Sequence, residues 1–390
     1  MNNVYLVDYA RSPFTRANPK KPEVDPFSDI RGDELLSQLI NKVLSDEKYC
    51  SLDVEELTVG CALQVKDQWS FGGRYPIFQS VLSNSCATRA VDQQCGSGLA
   101  AIRFSALSIA AGYTEVAAAA GYENMSRVPM GASLFNDGTL TVPEVKNSSY
   151  NMDIILNMGL TAEKLSDLSG ISRADQDAFA CRSHEKAVAA QARGFFKGEC
   201  LSLENNKGDI VGNDTCIRPD TTIEKLAELL PVFCEEGVVT AGTSSPITTG
   251  AAFTVLMSEQ AVLRTGSEPL CRVVTCVDCG TKPELMGMGV IPAVEKALCI
   301  SGLTVDQIDA WEINEAFSIV PLYAINELNL DPCKVNINGG ALALGHPLGA
   351  TGIRLAGTMA RILTLQKGKY ACVAACIGGG QGIALIIERV

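Results

Sequence analysis

The sequence predicts an α/β protein made of two duplicated halves with mostly parallel sheets and an inserted loop domain. Three observations predict it. Strand and helix patterns alternate over the first 118 residues, and the same order returns from Cys271. In each half the third strand leads into a glycine-rich turn that opens a helix, the mark of an internal duplication.

In the first half, Val4–Asp8, Leu57–Cys61, Cys86–Val91 and Glu115–Gly121 read as strands. Gly32–Leu44 is an amphipathic helix, with Leu35, Leu36, Leu39, Ile40 and Val43 at helical spacing. Arg74–Leu82 and Leu99–Ala111 are two further helices, and the run Ala117–Ala120 makes the last strand small enough for close packing. From Tyr122 to Thr243 polar loops (Phe135–Tyr150, Glu204–Pro219) surround helices at Leu160–Ser169 and Ala174–Arg193. Ser172, with Asp175 three residues on, caps the second of these. Ala251–Met257 returns to strand and Glu259–Thr265 to helix.

The second half has strands at Arg272–Asp278, Ala310–Ile313, Val335–Ile337, Tyr370–Cys376 and Ile383–Glu388. Its helices are Ile291–Ile300, Glu315–Leu328 and Gly349–Leu365. The expected domains are residues 1–118 with 245–268, the insertion 119–244, and residues 269–390. Ligands of such folds bind at the C-terminal ends of the strands.

Composition excludes several classes of function. A net charge of −12 without a basic block argues against nucleic acid and anionic membrane as partners. No run of about 18 uncharged apolar residues occurs, so no membrane span is expected. With two histidines, His184 and His346, a multi-histidine metal site is excluded. The Cys276-Val-Asp-Cys279 pair has no second pair at zinc spacing and reads as the end of a buried strand. His184 reads as a surface residue of its helix. The fifteen cysteines are scattered through apolar segments and point to reduced thiols in a cytosol. A strand begins at Val4, so no secretory or transit peptide is expected. The end Glu388-Arg389-Val390 is not a peroxisomal address.

Four stretches carry the chemistry. Cys95, in Gln94-Cys-Gly-Ser-Gly-Leu99, stands between a strand and the positive end of a helix. Ionising an ordinary thiol at neutral pH costs about 2 kcal/mol, which such a position can largely offset. His346 lies in Gly345-His-Pro-Leu-Gly349, a loop opening a helix, where it is either a base or a capping residue. Cys376 ends a strand before Gly378-Gly-Gly380, and Asn314 ends another before Glu315-Ala-Phe317. Cysteine is often only a small buried hydrophobe, and the triglycine lacks the Lys-Ser/Thr of a phosphate loop. Together these groups suit acyl transfer through a thioester. One thiolate carries the acyl group, an imidazole activates it, a second thiol moves protons, and glycine-loop amides hold oxyanions.

At these residues the chain resembles the thiolase family from end to end. Matching stretches include Cys95-Gly-Ser-Gly-Leu99, Gly121-Tyr-Glu-Asn-Met-Ser126, Met158-Gly-Leu-Thr-Ala-Glu163 and Thr240-Ala-Gly-Thr-Ser-Ser245. Asn314-Glu-Ala-Phe317, Gly339–Gly349 and Cys376–Gly382 complete the series. The resemblance implies a thiolase-like five-layer αβαβα fold, a homodimer or homotetramer, and coenzyme A thioesters as substrates with no permanently bound cofactor or metal. It implies that Cys95 is acylated, that His346 activates it, and that Cys376 is the acid/base. Asn314, through a water, and His346 would form one oxyanion hole, and the amides of Cys95 and Gly378 the other. Arg218, Ser245, Met158, Ala316 and Phe317 match positions along the CoA channel.

Three positions depart from the family pattern. Asp92 replaces the usual Asn and would raise the Cys95 pKa if it faced the sulfur. Thr249 replaces the usual Asp. Asn157 stands where acetoacetyl-CoA-specific members have His, which favours a 3-ketoacyl-CoA thiolase of fatty-acid β-oxidation over an acetoacetyl-CoA thiolase in synthesis. A ketoacyl-carrier-protein synthase would show two catalytic histidines and lack Cys376. A non-catalytic CoA or lipid carrier would tolerate loss of Cys95 or His346, and both are present. A hydratase/dehydrogenase partner and a cytoplasmic location fit the degradative reading.

Overall fold

The structure, a computed structural model, describes residues 2–46, 49, 52–136, 138–142, 144–146 and 149–390. Parts of the Phe135–Tyr150 loop expected from sequence lie outside the described residues.

The first half comprises β1 (Val4–Arg11), α1 (Gly32–Leu44), β2 (Glu56–Gly60), β3 (Ala87–Val91), α2 (Ser97–Ala110) and β4 (Val116–Asn124). The insertion carries α3 (Met158–Ser169) and α4 (Arg173–Ala192), after which β5 (Thr248–Ser258) returns to the sheet. The second half comprises β6 (Cys271–Gly280), α5 (Val290–Ser301), β7 (Ala310–Ile313), α6 (Ile319–Glu327), α7 (Leu348–Gln366), β8 (Tyr370–Ile377) and β9 (Gln381–Glu388).

The main strands follow one another in the order β7-β8-β9-β6-β1-β5-β4-β2-β3. Read outward from the centre, the first half runs β1-β5-β4-β2-β3 and the second β6-β9-β8-β7, so the topology repeats. Pairing is parallel where a helix crossover joins neighbours, at β2 with β3, β2 with β4, and β7 with β8. It is antiparallel at the remaining joints of that order, including the short β1–β6 contact that links the halves.

Helices α2 and α7 pack on each other between the halves and touch strands of both, while α1 covers only the first half and α5 only the second. That gives five layers. The small residues of β4 and of the two inner helices explain the close spacing. A side chain on Gly121 would run into the Gly349 carbonyl, and one on Gly352 into the Leu99 amide. The apolar faces of α1 and α5 close the outer cores, as their spacing requires.

Three sequence expectations change. Val335–Ile337 is not a strand but a single parallel bridge from Val335 to Trp311. Asn336 has φ +47°, which breaks the extended backbone, and its side-chain amide pairs with the Ile313 amide and carbonyl instead. The helix after Asn314 begins only at Ile319, because Glu315–Ser318 pairs with Thr243–Ser245. The helix expected over Arg74–Leu82 is confined to Tyr75–Gln79.

Candidate active site

Cys95 sits in a tight turn between β3 and α2, and its neighbours explain the turn. Gln94 holds φ +46°, a left-handed conformation in which its amide donates to Asp92 Oδ1 at 2.9 Å. Ser97 locks the loop from inside, donating to the Gln94 carbonyl at 2.7 Å and accepting from the Gln93 amide at 2.9 Å. Any side chain at Gly96 would strike Ile377. The thiol is therefore fixed and buried beside Ala17, Ala62, Met125 and Leu348.

Burial pushes the Cys95 thiol up to about 12, against the downward pull of the Gly378 amide and its own amide. Sequence reasoning expected the helix terminus largely to offset the cost of ionisation. Desolvation outweighs it, because the sulfur has lost its water and gained no cation. The amides whose influence lowers the Cys95 pKa are those of Gly378 and Cys95, the pair expected as one oxyanion hole. Met158 packs over Gly378 and places its sulfur at that mouth. Cys376 is fully buried at the end of β8, its pKa raised by burial and by the neighbouring Cys95.

His346 is held at three points. Its backbone amide donates to Thr248 Oγ1 at 3.0 Å, and Nδ1 lies 2.7 Å from Thr351 Oγ1. Nε2 meets Asn314 Nδ2 at 3.2 Å. Burial, then the charge of Arg354 further along α7, press its pKa down to about 3, so the ring is neutral. Arg354 is itself paired with Glu312, two residues before Asn314 on β7. Among the described residues, Asn314 Oδ1 is buried without a hydrogen-bond partner.

Two buried carboxylates, each inside a recognised motif but given no role from sequence, hold these loops. Glu123 accepts from the amides of Ala62 (3.1 Å), Leu63 (3.2 Å) and Gly349 (2.9 Å), and from Gln68 Nε2 at 2.7 Å. It thereby ties β4 to the start of α7. Glu315 accepts from Ser183 Oγ at 2.6 Å, Asn336 Nδ2 at 2.7 Å and the Leu342 amide at 3.2 Å, fixing the loop before His346.

The expected channel residues form one wall. The Ser245 amide donates to the Ala316 carbonyl at 2.9 Å, and Ser244 bridges to Phe317. Phe317 meets Phe233 edge-on at 5.9 Å between centroids, and Phe233 covers Gly159, next to Met158. Arg218 stands apart, in a cleft of ≈ 250 Å³ between α4 and the 216–221 loop. His184 lines the same cleft and is not a surface residue. It is buried, its Nδ1 accepts from the Arg218 amide at 3.2 Å, and burial lowers its pKa to about 4. The face of α4 that carries it packs against that loop, which helical periodicity alone could not reveal. Arg218→Ala should raise KM for CoA substrates several-fold with kcat nearly unchanged, and steady-state kinetics showing the reverse would refute a nucleotide-binding role.

The departures have local explanations. Asp92 is turned onto the Gln94 amides and is the last of the influences raising Cys95. Asn157 caps α3, its Oδ1 accepting from the Gly159 and Leu160 amides at 3.1 and 3.3 Å. Thr249 Oγ1 donates to Asp25 Oδ2 at 2.7 Å, so at this spot the carboxylate comes from Asp25.

A duplicated five-layer α/β scaffold that buries two cysteines and a neutral histidine where two glycine-rich loops meet defines an acyl-transfer enzyme of the thiolase class. The N-terminal thiolase domain matches residues 4–260 and the C-terminal thiolase domain residues 267–389. The chain belongs to the thiolase family. It is 37% identical to a 3-ketoacyl-CoA thiolase of Hahella chejuensis, covering 100% of this chain and 98% of that one. Among solved structures, human mitochondrial 3-ketoacyl-CoA thiolase in complex with CoA superposes with TM-score 0.89 at 33% identity, over 100% and 98% of the two chains. The Bacillus anthracis acetyl-CoA acetyltransferase superposes with TM-score 0.88 at 32% identity, over 100% and 99%.

Proposed function

We propose that this chain is a degradative 3-ketoacyl-CoA thiolase, converting a 3-ketoacyl-CoA and CoA into acetyl-CoA and a shortened acyl-CoA. The observation that carries it is the burial of Cys95 just before α2, within electrostatic reach of the Gly378 amide and of Cys376. The full-length relatives named 3-ketoacyl-CoA thiolase, and Asn157 spent as a helix cap, favour this substrate class.

In this reading His346 Nε2 takes the Cys95 proton as the sulfur attacks the 3-keto carbon. The C2–C3 bond then breaks, and Cys376 protonates the acetyl carbon. The Cys376 thiolate next deprotonates the incoming CoA thiol, which attacks the acyl-Cys95 thioester. Cys95 leaves and recovers its proton from His346. His346 and a water on Asn314 stabilise one oxyanion, the two amides the other. Thiol and imidazole are both neutral at rest, so the charge separates only where these donors meet it. The CoA channel runs along Met158, Ser245, Ala316 and Phe317 toward Arg218.

The halves are assigned as residues 1–124 with 245–268 and 269–390, and the substrate-covering insertion as 125–244, the first boundary moved from residue 118 because β4 runs on to Asn124. No helix among the described residues is long and apolar enough to cross a membrane, and the free thiols suit a cytoplasmic enzyme. The half-exposed edge strand β3 suits self-pairing in a homodimer. Thiolysis of 3-ketoacyl-CoAs of increasing length should give kcat/KM above that for acetoacetyl-CoA, on a particle of at least twice 41.4 kDa by light scattering. Activity confined to acetoacetyl-CoA would favour the synthetic acetyltransferase, to which the Bacillus anthracis likeness points.

A further inference from the structure

We propose that Thr351 is a positioning residue that sets the His346 tautomer, holding the proton on Nδ1 so that Nε2 carries the accepting lone pair. The inference rests on the acyl-transfer reading above and adds a residue to it.

The hydrogen-bond inventory around the ring supports the assignment from both sides. Thr351 is fully buried on the first turn of α7, and its hydroxyl has one proton. That hydroxyl lies 3.0 Å from the Pro347 carbonyl, the i−4 back-bond open to a helical threonine, and 2.7 Å from His346 Nδ1. With its proton given to Pro347, the oxygen meets Nδ1 only as an acceptor, so Nδ1 carries the hydrogen. On the other side Asn314 Nδ2, a pure donor, stands 3.2 Å from Nε2, a contact that an unprotonated Nε2 satisfies.

The two contacts agree on one tautomer. It is the one the reaction needs, since a ring protonated on Nε2 could not accept the Cys95 proton there. The Thr248 hydroxyl on the His346 amide fixes the backbone but does not touch the ring nitrogens. Tautomer choice therefore falls to Thr351 and Asn314, on opposite edges of the imidazole. His184 supplies a built-in contrast. Its Nδ1 accepts a backbone hydrogen, so its proton is on Nε2.

Nitrogen-15 NMR of the intact protein labelled at histidine reads the two rings directly, because the chain has only His184 and His346. The wild type should show one Nε2–H ring and one Nδ1–H ring. Thr351→Val, which keeps the shape and removes the acceptor, should convert or mix the second pattern and leave the first alone. Its kcat should fall about 10²-fold with KM little changed, the scale of a general base in the wrong state. Thr351→Ser keeps the hydroxyl and should stay within about threefold of wild type. Two Nε2–H rings in the wild type would overturn the proposal whether or not the valine variant folds. A folded valine variant with wild-type kcat and an unchanged spectrum would overturn it equally. Failure of wild-type Cys95 to take up acetyl from acetyl-CoA would instead defeat the acyl-transfer reading beneath it.

Discussion

Cys95→Ala should take up no acetyl group from acetyl-CoA, and turnover should fall by about 10⁶-fold, the scale of losing a nucleophile outright. Cys95 is a buried thiol just before α2, in a turn locked by Ser97 and with Gln94 in a left-handed conformation. The substitution removes one sulfur from a small apolar cluster of Ala17, Ala62, Met125 and Leu348, so the fold should survive. Peptide mass spectrometry after incubation with acetyl-CoA decides the matter. Acetyl found on Cys376 or Cys61 in the wild type would move the nucleophile elsewhere.

Cys376→Ala should behave differently, because in the proposed mechanism its sulfur moves protons and forms no lasting bond. Burial and the adjacent Cys95 raise the Cys376 pKa, which keeps it a thiol, the form that can donate to a carbanion. The variant should still acetylate Cys95, more slowly, while overall turnover drops about 10²–10⁴-fold. Exchange of the acetyl methyl protons with deuterated solvent should be lost with it. Normal exchange in this variant would transfer the acid/base role to another group, His346 first.

Long, strongly patterned elements were legible in the sequence. The periodicity of Leu35, Leu36, Leu39, Ile40 and Val43 matches α1 residue for residue, and Ala310–Ile313 and Glu259–Thr265 have the bounds their patterns predict. Elements stabilised by side chains from elsewhere were not. Asn336 replaces a stretch of ladder with its own amide, and nothing in Val335-Asn-Ile337 announces that. The buried position of His184 depends on a loop more than thirty residues away in sequence, at Arg218.

The candidate site divides the same way. Motif and spacing singled out the residues proposed to carry the chemistry, Cys95, His346, Cys376 and Asn314. Glycines stand where α2 and α7 meet, since only a missing Cβ lets Gly352 approach the Leu99 amide. Tertiary structure alone decided their ionisation and proton placement. Desolvation, which no local window contains, raises Cys95 against its helix terminus and holds His346 neutral. Thr351 and Asn314 reach the imidazole from separate elements, and Asp25 supplies the carboxylate next to Thr249. Residue identity is written in sequence, but a proton's free energy is set by every group and lost water around it, and only the folded chain assembles those.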